Sequence, residues 1–225
     1  MQVLCVVAHP DDEVLGMGGT LARHAADGDD VHVCFLSDGV TSRHDERTPD
    51  VEAEIEARTA SAREACDTLG ASASFQEFPD NQFDAVPLLD IVQTVEAEIE
   101  DCGPDIVYTH HHGDLNVDHE LTARATVTAT RPLRDSTVEQ VLAAEVLSAT
   151  EWSVPEPSKA FQPTTFVDVS DALAEKLDAL AAYGDELREH PHPRTVENVR
   201  RNARLWGAKS GVDAAEPFEL LRAVR

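Results

Sequence analysis

His9, Asp11 and Asp12 stand together in the segment Ala8-His9-Pro10-Asp11-Asp12-Glu13. An imidazole and two carboxylates this close form a donor set for a divalent metal. Imidazole nitrogen and carboxylate oxygen both suit zinc, and three protein ligands leave one position for water. The set follows an apolar run, Val3 to Val7, and precedes Gly16-Met17-Gly18-Gly19. That pattern reads as a buried strand ending in a polar turn before a helix. Polar groups there are costly to desolvate unless something uses their charge. His9 and Asp12 can face one ion while Asp11 points beside it, placed to take a proton from bound water. The competing explanation is a capping turn, with Asp12 on helix-start N–H groups. One His with two Asp favours the metal.

Two further polar clusters follow apolar runs. Ser37-Asp38-Gly39 continues to Ser42-Arg43-His44, and His110-His111-His112 continues through Asp114 and Asn116 to Asp118-His119. In a parallel sheet all three clusters emerge on one edge, the edge where such folds place ligands. Zinc needs a third ligand. His119 is the preferred choice because it opens a predicted helix beside Asp118, which could orient it. His110 and His112 are rivals. Asn116 cannot act as an acid, but its amide N–H could polarise a carbonyl oxygen. His190-Pro191-His192-Pro193-Arg194 is a fourth suspicious loop. Arg194 or Arg43 could hold an anionic substrate group such as a phosphate. Surface ion pairs explain each Arg equally well.

The elements that must position these clusters alternate. Strands are expected at Val3–Ala8, Val31–Leu36, Ser74–Phe78 and Asp105–Thr109. Helices are expected at Gly18–Asp27, Glu52–Leu69, Leu88–Cys102 and His119–Thr130. Ile55, Ala62, Ala65, Cys66 and Leu69 share one helix face, as do Ile91, Val92, Val95 and Ile99. The second half is less regular. It offers strands at Val138–Val146 and Thr165–Val169, a helix from Ser170 or Asp171 to about Glu189, and a last helix from Thr195 to about Ala208. The order predicts an α/β fold: a single Rossmann-like domain with a mostly parallel sheet and helices on both faces. Residues 1–130 would form the Rossmann-like core, with 131–225 completing a substrate pocket.

Composition bounds the function. A chain of 225 residues fits one domain. Cys5, Cys34, Cys66 and Cys102 are scattered without a CxxC pair, as expected of reduced thiols. The formal net charge is −25, with lysine only at 159, 176 and 209. Such a surface repels phosphate backbones and anionic membranes, so neither nucleic acid nor membrane is an expected partner. Regular apolar positions argue for a folded chain whose acidic surface suits very salty cytoplasm. No apolar run approaches a membrane span, and no signal-peptide pattern opens the chain, so a soluble cytoplasmic protein is expected.

Ala8-His9-Pro10-Asp11-Asp12-Glu13 together with Asp114-Leu115-Asn116-Val117-Asp118-His119 resembles the PIG-L/LmbE-like zinc-dependent deacetylases. The likeness extends through Phe78-Pro79-Asp80-Asn81, Pro104 to His110, Glu145 to Trp152 and Pro191-His192-Pro193-Arg194. It implies a Rossmann-like fold, Zn2+ on His9, Asp12 and His119, and Asp11 as general base. It also implies removal of acetyl groups from N-acetylglucosamine-type sugars. Many members carry His where this chain has Asn116. Protonation of the leaving amine then falls to Asp11, to another His such as His192, or to water. Another divalent transition metal could replace zinc. The alternatives are cleavage of a thiol conjugate or other small amide, and a non-catalytic nucleotide-binding module suggested by the glycines at 16–19. The sequence leaves the sugar and any homo-oligomer open.

Overall fold

The computed structural model describes residues 1–134, 136–154 and 156–224. The strands are β1 (Gln2–Val7), β2 (Asp30–Ser37), β3 (Ser72–Phe78), β4 (Ile106–His110), β5 (Gln140–Ala144), β6 (Thr165–Asp168) and β7 (Ala215–Ala223). The helices are α1 (Asp12–Ala26), α2 (Pro49–Leu69), α3 (Leu88–Cys102), α4 (Val117–Ala129), α5 (Leu173–Ala181) and α6 (Val196–Ser210). They form one α/β domain around a sheet ordered β3-β2-β1-β4-β5-β7-β6. β1 to β5 pair in parallel, and β7 runs antiparallel to both of its neighbours. The chain steps outward from β1 to β3, then returns to place β4 on the other side of β1. That reversal is the topological switch point where such sheets open a crevice.

Side-chain alternation along β1 feeds two cores. Val3, Cys5 and Val7 pack with α1, α2, α5 and α6. Leu4, Val6 and Ala8 pack with α3 and α4. Burial on both faces explains why β1 and β4 are continuous apolar runs.

Several boundaries differ from expectation. α1 begins at Asp12, not Gly18, and it includes the glycines. The backbone leaves helical geometry at Met17 (φ −148°, ψ 16°), which kinks the helix. A kink strands N–H and C=O groups inside a helix. Here Glu216 of β7 accepts from Gly19 N–H (3.0 Å), Thr20 N–H (2.7 Å) and the Thr20 hydroxyl (2.6 Å). Lys176 of α5 pairs with Glu216 at 2.5 Å and donates to the Leu15 carbonyl at 3.1 Å. Gly19 is needed for contact, because a Cβ there would lie 2.9 Å from Val169 Cβ. α5 stops at Ala181 rather than Glu189, because Tyr183 turns into the core to meet Glu13. β7 was not expected: Glu216, Pro217 and Glu219 break the apolar pattern. β5 is shorter than Val138–Val146, and α4 starts at Val117 with Asn116 as its cap. α2 starts at Pro49 rather than Glu52, capped by Thr48.

Lys176 and Glu216 are both buried. Lys176→Met should cost about 3 kcal/mol or more, because it leaves Glu216 charged and unpaired. Chemical denaturation measures this. The double variant Lys176→Met/Glu216→Gln should recover only part of the loss, because the Gln NH2 must face one of the backbone N–H groups that the carboxylate accepts.

Candidate metal centre

β1 ends at Val7 and the chain turns through Ala8, His9 and Pro10 into Asp11. Asp11 sits at φ 108°, left-handed backbone that a non-glycine residue adopts at a cost. The turn lets consecutive carboxylates diverge. Asp12, the first residue of α1, points back to the turn after β1, where its Oδ2 accepts the His9 N–H at 2.9 Å. α4 brings His119 from the other side of the switch point, one residue after Asp118 in its first turn.

Three buried donors converge. Asp12 Oδ2 lies 3.3 Å from His9 Nδ1 and 3.2 Å from His119 Nε2. With metal–ligand bonds of about 2.0–2.1 Å, a tetrahedral site has ligand–ligand edges of roughly 3.3 Å. Asp12 Oδ1 is buried with no hydrogen-bond partner, a costly state that a cation relieves. The residues therefore fit a zinc-type ion held by His9, Asp12 and His119. The far nitrogens of both rings meet carboxylates, the arrangement that fixes a ligating imidazole. His9 Nε2 is 3.1 Å from Asp118 Oδ2 and 3.2 Å from Asp80 Oδ1. His119 Nδ1 is 3.3 Å from Asp114 Oδ2. Asp118 is itself held by the Asn81 and Phe83 N–H groups, and Asp114 by the Thr150 hydroxyl.

The electrostatics follow from this crowding. Burial disfavours a charged His119, but Asp12 and Asp114 outweigh it and push the imidazole up to about 9. His9 also rises well above the usual histidine range: burial opposes the charge, and Asp118, Asp12 and Asp80 overcome it. Asp12 is driven well below the carboxylate range against its burial, by the charge and hydrogen bond of His119 and by the hydrogen bond of His9. Asp80 falls to about 2, its burial outweighed by His9 and Ser42. The cluster demands positive charge at its centre, which protons supply when no metal does.

The three consecutive histidines have separate tasks. His110 Nε2 accepts the Ala8 N–H at 2.9 Å, which leaves that nitrogen no lone pair for a metal. Burial and His119 hold the His110 ring neutral, down to about 3. His111 bridges Glu219 (2.9 Å) and the Lys159 carbonyl (2.8 Å). His112 is exposed, against the Ser158 carbonyl.

Asp11 points away from Asp12 into a nest of arginines. Its Oδ2 accepts from Arg194 (2.9 Å) and Arg58 (3.2 Å). Burial raises the Asp11 carboxyl despite both guanidinium groups. Glu13 accepts the Asp11 N–H at 3.0 Å and takes the Tyr183 hydroxyl at 2.6 Å, and burial pushes its carboxyl up to about 8. Arg58 also donates to the Pro10 carbonyl at 2.6 Å and pairs with Glu186 at 3.0 Å. Arg43 reaches the same Glu186 at 2.7 Å rather than Asp11. Asn116 caps α4: its Oδ1 accepts the Asp118 N–H at 2.8 Å and its Nδ2 donates to Asn81 at 3.2 Å. His192 packs edge-on against Trp152 with ring centres 5.5 Å apart, and its Nδ1 accepts the Arg194 N–H. Arg58 was missed from sequence although it carries a signal. It falls on the stripe Ile55, Ala62, Ala65, Leu69, where a charge must be buried. Glu186 had none.

A family model described as PIG-L, GlcNAc-PI de-N-acetylase, matches residues 4–130. A 1D-myo-inositol 2-acetamido-2-deoxy-alpha-D-glucopyranoside deacetylase from Rhodococcus opacus is 27% identical, covering 84% of this chain and 83% of its own. A conserved protein from Thermus thermophilus superposes with a TM-score of 0.76 and 28% identity, covering 100% of this chain and 96% of its own. The 4-carboxy-2-hydroxymuconate hydratase from Pseudomonas putida shares the fold at TM-score 0.77 and 22% identity, covering 100% of this chain and 98% of its own.

Chelator-treated protein should take up one zinc ion at this centre, and alanine at His9, Asp12 or His119 should abolish that uptake. Asp118→Asn should weaken it by about 10- to 100-fold through the ring orientation of His9. A metal must displace the His119 proton, so affinity should rise with pH up to about 9. The expected slope is about tenfold per pH unit for each proton released. Competition titration with a chromophoric chelator across pH checks both.

Proposed function

The chain belongs to the PIG-L family, GlcNAc-PI de-N-acetylase, whose model matches more than half of it, and from this premise we propose that it is a metal-dependent deacetylase. Its substrate is an N-acetylated sugar of the N-acetylglucosamine type, and its products are acetate and a free amine. One observation carries the reading: the buried convergence of His9, Asp12 and His119 beside the separately held carboxylate of Asp11. The hydratase is a reminder that the fold alone leaves the reaction open.

His9, Asp12 and His119 hold the metal in this reading, with zinc the ion that suits their donors. A bound zinc ion lowers the pKa of water to about 7 and polarises a carbonyl oxygen. Asp11 accepts the proton of the attacking water and returns it to the leaving amine. Arg194 and Arg58 both hold Oδ2 of Asp11, and this reading assigns the proton to Oδ1. Asn116 can turn its amide N–H from Asn81 toward the developing oxyanion. It has no proton to give, so the proton traffic rests on Asp11. Burial and the nearby arginines lower His192, which makes it a poor carrier of that proton. It suits the pocket wall instead, with Trp152. Arg43 borders a cavity of about 250 Å³ with Arg58 and Glu186, and could receive an anionic part of the substrate there. Arg194 comes from residues 131–225, which fits a second half that completes the pocket.

The charge of −25 suits concentrated salt, where screening removes its self-repulsion. Cytoplasmic residence fits the free thiols of Cys5, Cys34, Cys66 and Cys102. Among the described residues no helix is long and apolar enough to cross a membrane.

Asp11→Asn should retain stoichiometric metal and lose about 10²- to 10⁴-fold in acetate release. Unchanged turnover would remove Asp11 as the base. The assay should span free N-acetylglucosamine, inositol-linked and nucleotide-linked forms, and N-acylated thiol conjugates. Release from the thiol conjugates alone would favour the small-amide alternative. The melting temperature should climb as potassium chloride rises from dilute to molar concentration. A flat or falling trend would reject the salt reading.

A further inference from the structure

We propose a second, thiolate-containing metal site of the zinc class at the opposite edge of the sheet, formed by His32, Glu98 and Cys102. His32 lies near the start of β2, whereas the centre described above lies beyond the strands' carboxyl ends. Glu98 and Cys102 are four apart on α3, so both face the sheet from one helix stripe. One donor atom from each of the three residues lies within 4.8 Å of the others. The His32 and Glu98 side chains are 21% and 13% exposed, and Cys102 is half-buried, so the site is partly shielded but reachable.

The hydrogen bonds around His32 accommodate a free Nε2. When the Ser72 hydroxyl donates to the Val31 carbonyl (3.2 Å), it accepts the N–H of His32 Nδ1 (2.8 Å), the tautomer that a metal on Nε2 requires. The Ser74 hydroxyl donates to Glu98 Oε1 (2.9 Å), so its proton is not available to His32 Nε2, 3.0 Å away. His32 Nε2 also lies 3.2 Å from Glu98 Oε2. A bare nitrogen lone pair cannot face a carboxylate oxygen without a cation between them. With Nδ1 protonated, that cation is a proton or a metal ion; the neutral Nε2–H ring, which donates to Glu98 directly, is the competing state that metal binding displaces. The 3.2 Å separation matches a tetrahedral edge of roughly 3.3 Å. The Ser72 bond on the far nitrogen is the kind of contact that orients a ligating imidazole.

Cys102 supplies the third and softest donor. A thiol next to an imidazole–carboxylate pair adds nothing to a proton bridge, but as a thiolate it completes a soft, three-donor site with room for water. Binding releases the thiol proton to solvent. Burial raises the Cys102 thiol, and Glu98, Asp101 and Asp30 raise it further. The same negative field attracts a divalent cation. The site is independent of the proposed catalytic centre, which contains no sulfur.

Cobalt(II) titration of the metal-free full chain tests this. The wild type should bind two ions, and one should produce a near-ultraviolet thiolate-to-cobalt charge-transfer band. Cys102→Ser and, separately, His32→Gln should bind one ion and lose the band while keeping native circular dichroism. His9→Ala/His119→Ala should keep the band. Absence of the band in the wild type, or a band of undiminished intensity in Cys102→Ser, overturns the proposal. In that case the cluster is a proton-bridged hydrogen-bond network.

Discussion

One buried oxygen organises this molecule. Asp12 Oδ2 lies just past the carboxyl end of β1, with two imidazole nitrogens and a backbone N–H directed at it. A carboxylate in that position is costly unless cations surround it. The surroundings supply them in layers. His9 and His119 face the oxygen, and Asp118, Asp80 and Asp114 face the imidazoles in turn. Backbone N–H groups and hydroxyls close the outermost layer. Charge therefore alternates outward from the centre, and each layer is stable only while the next is present. The turn at Asp11, the capped start of α4 and the loop at Asp80 all serve this alternation.

The same constraint separates two carboxylates that are adjacent in sequence. Asp12 is drawn inward by imidazoles and Asp11 outward by guanidinium groups. Left-handed backbone at Asp11 makes the divergence possible, and Glu13 secures it by holding the Asp11 N–H. The two acids then differ in character. Asp12 is held well below the usual carboxylate range, whereas burial raises Asp11 above it. On a chain with so few basic residues, Arg43, Arg58 and Arg194 gather around Asp11 and Glu186.

The alternation of β1 to β4 with α1 to α4 was legible in the sequence, because each element carries a clean apolar period or run. So was the edge on which His9, Asp12 and His119 meet. His119, preferred over His110 and His112 from the sequence, clusters with His9 and Asp12. The reason lies in a contact no sequence displays: His110 spends its lone pair on the Ala8 N–H. Arg58 and Glu186 stayed hidden because one sits within an amphipathic stripe and the other in a turn without a pattern. β7 stayed hidden because its polar residues have partners inside. Glu216 reads as a surface residue until α1 is seen to be kinked. The glycines at 16–19 suggested phosphate binding, yet Gly16 and Gly19 pack closely against Glu145 and Val169.

The bond between Glu216 and the kink of α1 joins residues almost two hundred positions apart. The helix that presents Asp12 is synthesised almost two hundred residues before the carboxylate that satisfies its kink. Closure of this contact must therefore wait until β7 has been made. Until then α1 lacks the carboxylate that quiets its broken turn, and Asp12 lacks a fixed platform. The settled form of α1 thus depends on β7, so the platform of Asp12 rests on a long-range contact and not on local sequence alone.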